Sequence, residues 1–438
     1  MQNFVKQSFF TFLTQIAVFL AGFFSLVIIS RILGPEGRGV YSLIILIPGM
    51  IMAFGNLGLG SGNVYFIGSK KYKVQDVLSS SLVFSLILGI LLILAFWGLL
   101  QIDFFQKIIE ANKIPQFYLW LVVFTIPLTL ILGFFQSILM GRGQIGNYNK
   151  INLFRELFQL LIIIIFLLVL KTGLLGAVLS HILAVILAVL AATFLVRNIT
   201  KIRFAFHKGF LKDSFVYGGK VYLANMISFL NYRLDIFLIA FFLNPLAVGL
   251  YSVSVAIAER LFIIPGAITT VLYPKISSME NSEANTFTPK IARHTFFIMI
   301  LGALLLLILA QPFIKLFFGP SFLPSVLPLI ILIPAIIAFG IGGVLAADLA
   351  GRGKPEFALF GSLIGLIFNV FLNIIFIPKW GIVGAAFAST VAYTIDTLIV
   401  LFAFLVISRK SLGDVLLMKR GDFQDYQRLF SRLKEKRL

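Results

Sequence analysis

The sequence predicts an all-α membrane protein with twelve transmembrane helices in two parallel six-helix repeats. An apolar composition, long apolar runs and an internal repeat support this fold class. The chain has 438 residues, of which 60% are hydrophobic and 12% charged, and its mean hydropathy is +1.05. Because charged residues make up about 25% of a typical soluble domain, the composition excludes a water-soluble globular protein.

Apolar runs of twenty or more residues recur along the chain, each long enough to cross a hydrocarbon core about 30 Å thick. Gly, Pro and charged residues separate these runs and mark the helix ends. The alternating ten-residue segments of a membrane β-barrel are absent. The predicted helices cover residues 8–33, 40–67, 77–100, 115–140, 147–170, 173–196, 215–243, 246–272, 291–310, 322–350, 355–377 and 381–407.

An internal repeat divides the chain into two halves. The segment 34–42 reappears as 244–252, and the Gly-Arg-Gly sequence at 141–143 recurs at 351–353, both with an offset of 210. Because each half has an even number of helices, both halves enter the membrane from the same side, so the repeat is parallel. The predicted domains are a six-helix bundle at 1–196, a linker at 197–213, a second six-helix bundle at 214–408 and a basic tail at 409–438.

The basic residues predict the orientation. The net charge is +19, and 26 Lys and Arg residues fall on the face shared with the termini, against 7 on the opposite face. Since cytoplasmic loops carry the excess of Lys and Arg, we expect a multi-pass protein of the cytoplasmic (inner) membrane with both termini in the cytoplasm. This explains the net charge without a nucleic-acid partner.

The linker and the tail interleave basic and apolar residues, a pattern that suits the headgroup layer of an anionic leaflet. Anionic membrane lipids are therefore expected partners. The alternative is that these basic residues only set the orientation and bind no lipid specifically.

Ionisable residues inside the predicted helices indicate the functional site. A charge at mid-membrane costs about 2.5 to 3.5 kcal/mol, so such a residue should face a wet cavity or a charged partner. We interpret these residues as lining one polar cavity. The guanidinium groups of its arginines would bind an anionic headgroup, because a guanidinium forms bidentate hydrogen bonds to phosphate oxygens. The candidate cavity residues are Arg155, Glu156, Arg233, Asp235, Glu259, Arg260 and Asp396.

A structural role is the alternative for two of these arginines. Arg233, with Asp235, and Arg260, with Glu259, would then be satisfied by carboxylates on neighbouring helices and would hold the bundle together. No Walker loop is present, the three histidines are dispersed, and there is no cysteine. We therefore expect no catalytic residue, no cofactor and no metal, and hence no enzyme.

The segment 31–41 (Arg-Ile-Leu-Gly-Pro-Glu-Gly-Arg-Gly-Val-Tyr) resembles the first-loop signature of bacterial polysaccharide flippases. These are the O-antigen and teichoic acid exporters of the multidrug/oligosaccharidyl-lipid/polysaccharide superfamily. Further similar stretches lie at 232–236, 248–252, 258–261, 273–274 and 318–322.

This resemblance, which covers residues 1–410, has implications for fold and function. It implies two six-helix bundles in a V around a central cationic cavity, as in multidrug and toxin extrusion transporters. It also implies that an undecaprenyl-pyrophosphate-linked oligosaccharide is moved from the cytoplasmic to the outer leaflet by alternating access. Other membrane proteins of polysaccharide assembly are then candidate partners.

Two other functions remain open. A multidrug exporter of the same fold is disfavoured because the first predicted helix contains no acidic residue, whereas cation-coupled multidrug members commonly carry an Asp there. A membrane glycosyltransferase or polymerase would need a large outward loop with catalytic carboxylates. The longest predicted outward loop, 101–114, offers only Asp103 and Glu110.

Overall fold

The computed structural model describes residues 2–55, 57–201 and 205–422, with side chains except at 2–10, 12, 220, 221 and 274. These residues form helices and no strand, which confirms the predicted all-α class. The predicted amphipathic segment of the tail beyond residue 422 lies outside the described residues.

The first of two compact units comprises Met1–Phe229, Leu243–Gly249 and Phe317–Ser321. Its helices include α1 (Gln2–Gly55), α2 (Leu59–Gly68), α3 (Val74–Leu99), α4 (Asp103–Ala111), α5 (Gln116–Val123), α6 (Ile126–Gly141), α7 (Ile145–Ile163), which continues as a π-helix (Ile164–Val169), and α8 (Gly173–Arg197).

The second unit comprises Leu230–Phe242, Leu250–Leu316 and Phe322–Leu438. Three helices contribute residues to both units: α9 (Lys208–Phe242), α10 (Pro245–Ala258) and α12 (Asn281–Phe317). The remaining elements are a 3₁₀ turn (Glu259–Phe262), α11 (Ile263–Ser277), a second 3₁₀ segment (Pro320–Ser325), α13 (Val326–Gly351), α14 (Glu356–Ser408) and α15 (Leu412–Leu416). The domain boundaries expected from the sequence stay a prediction.

Ten helices within the described residues are long and apolar enough to cross a membrane. Two of them, in α1 and α14, contain a break in helical geometry, at Gly34 (φ 66°) and Gly381 (φ 59°). At 1.5 Å per residue, the two arms of α14, 53 residues in all, have a summed length of about 80 Å, more than twice a hydrocarbon core of about 30 Å. The predicted count of twelve is not confirmed and stays a prediction.

Several predicted helices are interrupted. The helix expected at 40–67 stops at Gly55 and restarts at Leu59, because the backbone at Leu57 and Gly58 has positive φ values of 51° and 76°. A Cβ on Gly58 would lie 2.1 Å from the carbonyl oxygen of Gly218, so this bend accompanies a close backbone contact. The helix expected at 115–140 is divided into α5 and α6, and the outward loop expected at 101–114 contains the short helix α4.

The two copies of the repeated segment contact each other within the first unit. A Cβ on Gly39 would lie 1.8 Å from the carbonyl oxygen of Pro245, and a Cβ on Gly249 would lie 1.8 Å from that of Pro35. Both pairs of equivalent positions, 39 with 249 and 35 with 245, are separated by the repeat offset of 210. Only glycine permits this reciprocal backbone approach.

We expect Gly39→Ala to destabilise the protein by about 1 to 3 kcal/mol, the usual cost of overpacking. The measurement is thermal unfolding of the purified protein in detergent. Gly49→Ala in the same helix is the matched control, because no atom lies within 4 Å of a Cβ built there. Equal unfolding temperatures for the two variants would contradict the close-contact explanation.

The segment 409–422, which we name the C-terminal strap, packs on the second unit. Val415 is fully buried in a core cluster with Leu345 and Phe404. The guanidinium of Arg293 donates from Nε and Nη2 to the two carboxylate oxygens of Asp422, at 2.8 and 2.9 Å. Nη1 of Arg293 also donates to the carbonyl of Asp414 at 2.7 Å. An apolar anchor, a bidentate ion pair and this hydrogen bond therefore hold the strap.

The strap should loosen at low pH. Arg293 lowers the pKa of Asp422 from 3.8 to about 2. A lowered pKa adds stability above the ordinary value, and this stability is lost as the pH falls from about 4 through about 2. We expect Asp422→Asn to abolish this pH dependence and to reduce protection of the α15 amides about tenfold at pH 7, measured by hydrogen exchange. Unchanged protection would show that the ion pair does not hold the strap.

Candidate functional site

An ion pair between α9 and the 3₁₀ turn forms the charged part of the site in the second unit. Arg233 donates from its two terminal nitrogens to the two carboxylate oxygens of Glu259, at 3.0 and 3.3 Å. The side chains remain 35% and 22% exposed, so the pair is open on one side. In the structural alternative, Arg233 is satisfied by a carboxylate on a neighbouring element, and Glu259 on the 3₁₀ turn is that carboxylate.

The 3₁₀ turn Glu259–Phe262 explains how Glu259 is presented. The predicted helix 246–272 is interrupted here, because Pro265 has no backbone N–H to bond the carbonyl four residues earlier. Arg260 follows Glu259 on this turn and is half-buried. Both charged residues therefore lie at a local irregularity of the helix.

Asp235 has neutral hydrogen-bond donors around its carboxylate. It is 2% exposed and accepts from the hydroxyl of Tyr251 at 2.6 Å, from the backbone N–H of Ile236 at 2.7 Å and from the hydroxyl of Ser389 at 3.2 Å. These donors join α9, α10 and α14 in one buried polar network. Its environment suits a rigid structural centre better than a surface for a headgroup.

Asp396 lies on α14, buried at 5% exposure. Its Oδ2 accepts from the hydroxyl of Ser362 at 3.1 Å, and the carbonyl of Ser362 accepts from the side-chain amide of Asn231 at 2.9 Å. The hydroxyl of Tyr393 donates to the carbonyl of Asn231 at 3.0 Å. Asp396 and Asp235 thus belong to neighbouring parts of the second unit, each bonded to neutral donors.

In the first unit, Arg155 and Glu156 lie on α7. Their closest charged atoms are 3.6 Å apart, and the side chains are 33% and 23% exposed. The buried Nε of Arg155 has no hydrogen-bond partner. This loose contact between sequence neighbours leaves hydrogen-bonding capacity on the Arg155 guanidinium.

Two polar residues of α7 near Arg155 and Glu156 have structural roles. The Asn149 amide donates to the Thr11 hydroxyl at 2.8 Å, and the Asn152 side-chain oxygen accepts from Gln136 at 2.8 Å. These contacts attach α7 to α1 and α6. The polar residues of α7 therefore contribute to helix packing, and the charged pair lies one to two turns further along the helix.

Arg38 is a functional candidate that the sequence reasoning assigned to an outward loop. It lies in α1, four residues after the break at Gly34, and is half-buried, with its guanidinium carbon 5.5 Å from the ring centre of Tyr41. Its Nε is buried without a hydrogen-bond partner, and no carboxylate in the described part of the chain forms an ion pair with it. Tyr41 lies within electrostatic range of Arg38, Arg155 and Glu156.

The first unit therefore contains two half-buried guanidinium groups and one carboxylate near Tyr41. Each guanidinium has an unsatisfied buried N–H, and a planar guanidinium binds phosphate oxygens in a bidentate manner. This chemistry suits an anionic ligand. Among the residues with described placement, no group of three or more His, Asp or Glu side chains could hold a metal ion.

The helix arrangement and the charged residues within it define a multi-pass membrane protein with a transporter fold. The chain is similar to the structure titled "Lipid II flippase MurJ, inward closed conformation", with a TM-score of 0.75, 20% identity and coverage of 91% of this chain and 90% of that chain. It is also similar to an inward-facing multidrug resistance MATE family transporter of the MOP superfamily, with a TM-score of 0.72, 18% identity and coverage of 90% and 96%. These similarities establish the fold.

The family follows from the sequence. The family described as "Polysaccharide biosynthesis protein" matches residues 28–327, more than half of the chain, and the protein belongs to this family. It is 24% identical to the "Probable low-salt glycan biosynthesis flippase Agl15" of Haloferax volcanii, over 87% of this chain and 80% of that protein. It is 24% identical to the "Putative O-antigen transporter" of Shigella flexneri, over 86% and 91%.

Proposed function

We propose that the protein is a flippase that moves a polyprenyl-pyrophosphate-linked oligosaccharide from the cytoplasmic to the outer leaflet of the inner membrane. Family membership, the flippase and transporter names of two relatives, and the transporter fold support this function. The proposal needs no catalytic residue, cofactor or metal. Its partners are the lipid-linked substrate, anionic lipids and other membrane proteins of polysaccharide assembly.

The proposal depends most on Arg38, whose guanidinium has a buried Nε without a hydrogen-bond partner. A half-buried cation that pairs with no carboxylate among the described residues is costly, and a ligand that supplies negative charge would offset the cost. Arg155, also with an unsatisfied Nε, contributes a second positive group. A pyrophosphate carries the charge and the oxygen acceptors that two guanidinium groups can bind.

In the second unit, Arg233 is the expected phosphate ligand, with Arg260 beside Glu259 as a second. Because the Arg233–Glu259 pair is partly exposed, a phosphate can compete for the guanidinium while Glu259 keeps it oriented. Asp235 and Asp396 act as buried supports of α9 and α14. Rocking of one repeat against the other then exposes the headgroup outward while the polyprenyl tail stays in lipid.

Loss of the protein should trap the lipid-linked oligosaccharide in the inner leaflet. The test is accessibility of the headgroup to an external glycosidase in spheroplasts with and without the protein. Continued synthesis with reduced external accessibility is expected. Reduced synthesis with unchanged outward exposure would favour a glycosyltransferase or polymerase, and normal exposure with altered drug efflux would favour the multidrug exporter.

The proposed topology predicts that Arg420 and Glu110 lie on opposite sides of the membrane. The chain contains no cysteine, so Arg420→Cys and Glu110→Cys each create a single reactive thiol at an exposed position. We expect an impermeant thiol reagent added to intact cells to label position 110, and position 420 only after permeabilisation. Labelling at 420 alone in intact cells would reverse the assigned orientation.

A further inference from the structure

An apolar groove lies between the two arms of α14, on either side of Gly381. Its volume is about 510 Å³, within the range of about 300 to 1,000 Å³ typical of small-molecule sites. The first arm (356–380) and the second arm (382–408) both line it. Its walls include Phe357, Phe360, Leu398, Phe402, Val406 and Ile407.

The groove is open on the outer surface of the second unit. Leu398, Phe402 and Val406 follow one another at four-residue spacing and are 54%, 71% and 61% exposed. Residues four apart share one face of a helix, so these three side chains form a continuous apolar ridge along one wall. The base is closed by Ala403, which is 6% exposed and belongs to the core cluster that also contains Val415 of the C-terminal strap.

The length of the groove along the second arm is close to the thickness of one membrane leaflet. Its lining on the second arm extends from Ile395 to Ile407, which corresponds to about 18 Å at 1.5 Å per residue. Half of a hydrocarbon core about 30 Å thick is about 15 Å. The groove also ends where the second arm ends, at Ser408. A phospholipid acyl chain anchored at that end would fit this depth, whereas a long polyprenyl chain would extend past it.

Positive charge is concentrated at the same end of the groove. Lys354 precedes Phe357 by three residues, and Arg409 and Lys410 follow Ile407 directly after the end of α14. Lys354 and Arg409 are exposed and Lys410 is half-buried. Glu356 is the acidic residue in this group, so a net charge of +2 remains. Basic residues between transmembrane helices on the cytoplasmic side suit anionic lipid headgroups.

We propose that this groove is a binding site for one anionic phospholipid of the cytoplasmic leaflet. An acyl chain occupies the groove between the arms, and the phosphate lies between Lys354, Arg409 and Lys410. The bound lipid then lies against Ala403, in the core cluster that also anchors the strap through Val415. This site is separate from the flipping function, since none of the proposed substrate-binding residues lines it.

Native mass spectrometry of the detergent-purified protein, titrated with phosphatidylglycerol or phosphatidylethanolamine, tests the proposal. We expect one tightly held phosphatidylglycerol and clear preference over phosphatidylethanolamine. The triple variant Lys354→Gln, Arg409→Gln, Lys410→Gln should weaken phosphatidylglycerol binding at least fivefold, because each Lys or Arg near an anionic headgroup contributes appreciably. Ile399→Trp, which fills the groove from its wall, should weaken binding of both lipids.

A matched control removes three exposed charges from the predicted opposite face: Lys171→Gln, Lys315→Gln, Lys379→Gln. Retention of phosphatidylglycerol by this control is expected. Equal loss of phosphatidylglycerol binding in both triple variants would overturn the proposal. Equal affinity of the wild type for phosphatidylglycerol and phosphatidylethanolamine would overturn it as well. Displacement of phosphatidylglycerol by an equimolar amount of undecaprenyl phosphate would also overturn it and assign the groove to the substrate tail. A flipping assay on the same groove variants distinguishes failure of the lipid-site proposal from failure of the proposed flippase function.

Discussion

Arg38→Ala should abolish flipping while the protein still inserts and folds. The guanidinium of Arg38 has a buried Nε without a hydrogen-bond partner, and its removal deletes an unpaired buried charge, so we expect folding to be unharmed or improved. Transport should fall at least 100-fold, because the pyrophosphate then loses a charge-assisted bidentate contact. The measurement is headgroup translocation at matched membrane levels of protein.

Two further variants make this test specific. Arg38→Lys should keep part of the activity, since the charge survives but the bidentate geometry does not. Arg142→Ala is the matched control, because Arg142 is exposed at the end of α6 and belongs to no proposed binding site. If Arg38→Ala transports at the wild-type rate, Arg38 does not bind the substrate. The proposed function would then lose the observation on which it depends.

Replacing Arg233 and Glu259 together should distinguish a structural role of this ion pair from a role in transport. Removal of one partner of a partly buried ion pair leaves an uncompensated charge, so Arg233→Ala and Glu259→Ala should each destabilise the protein. The double variant should recover thermal stability, because neither charge remains. It should not recover flipping, because the phosphate ligand is still missing. Arg260→Ala should also reduce flipping.

The matched comparison measures unfolding temperature and flipping for both single variants and the double variant. An interaction energy follows from the double-mutant cycle. Recovery of transport in the double variant would assign Arg233 to the scaffold, in agreement with the alternative structural role. The outcome depends on the observed partner, Glu259, and not on Asp235, whose removal would disturb the network with Tyr251 and Ser389.

The fold class could be predicted from the sequence because long apolar runs require helices in lipid. The interruptions could not be predicted, since they depend on contacts between distant residues. The bend at Leu57 and Gly58 accompanies the backbone contact with Gly218, which no local pattern indicates. The 3₁₀ turn Glu259–Phe262 has a local cause instead, because Pro265, three residues after it, lacks a backbone N–H.

The candidate site was predicted in part. The charged residues within helices were identified because ions in lipid are rare and costly. Which carboxylate satisfies Arg233 could not be predicted, because residues two apart on a helix do not share a face and Glu259 lies 26 residues further along the chain. Arg38 was missed because the predicted second helix began at residue 40, two residues too late to include it.

The most direct test of the central claim is flipping by the purified protein in liposomes. A polyprenyl-pyrophosphate-linked oligosaccharide is placed in both leaflets, and the fraction cleaved by an external glycosidase is followed over time. We predict that wild-type protein makes nearly all of the headgroup accessible, whereas Arg38→Ala leaves about half protected, as in protein-free liposomes. Equal protection with wild-type protein and with empty liposomes would contradict the assignment of this protein as a flippase.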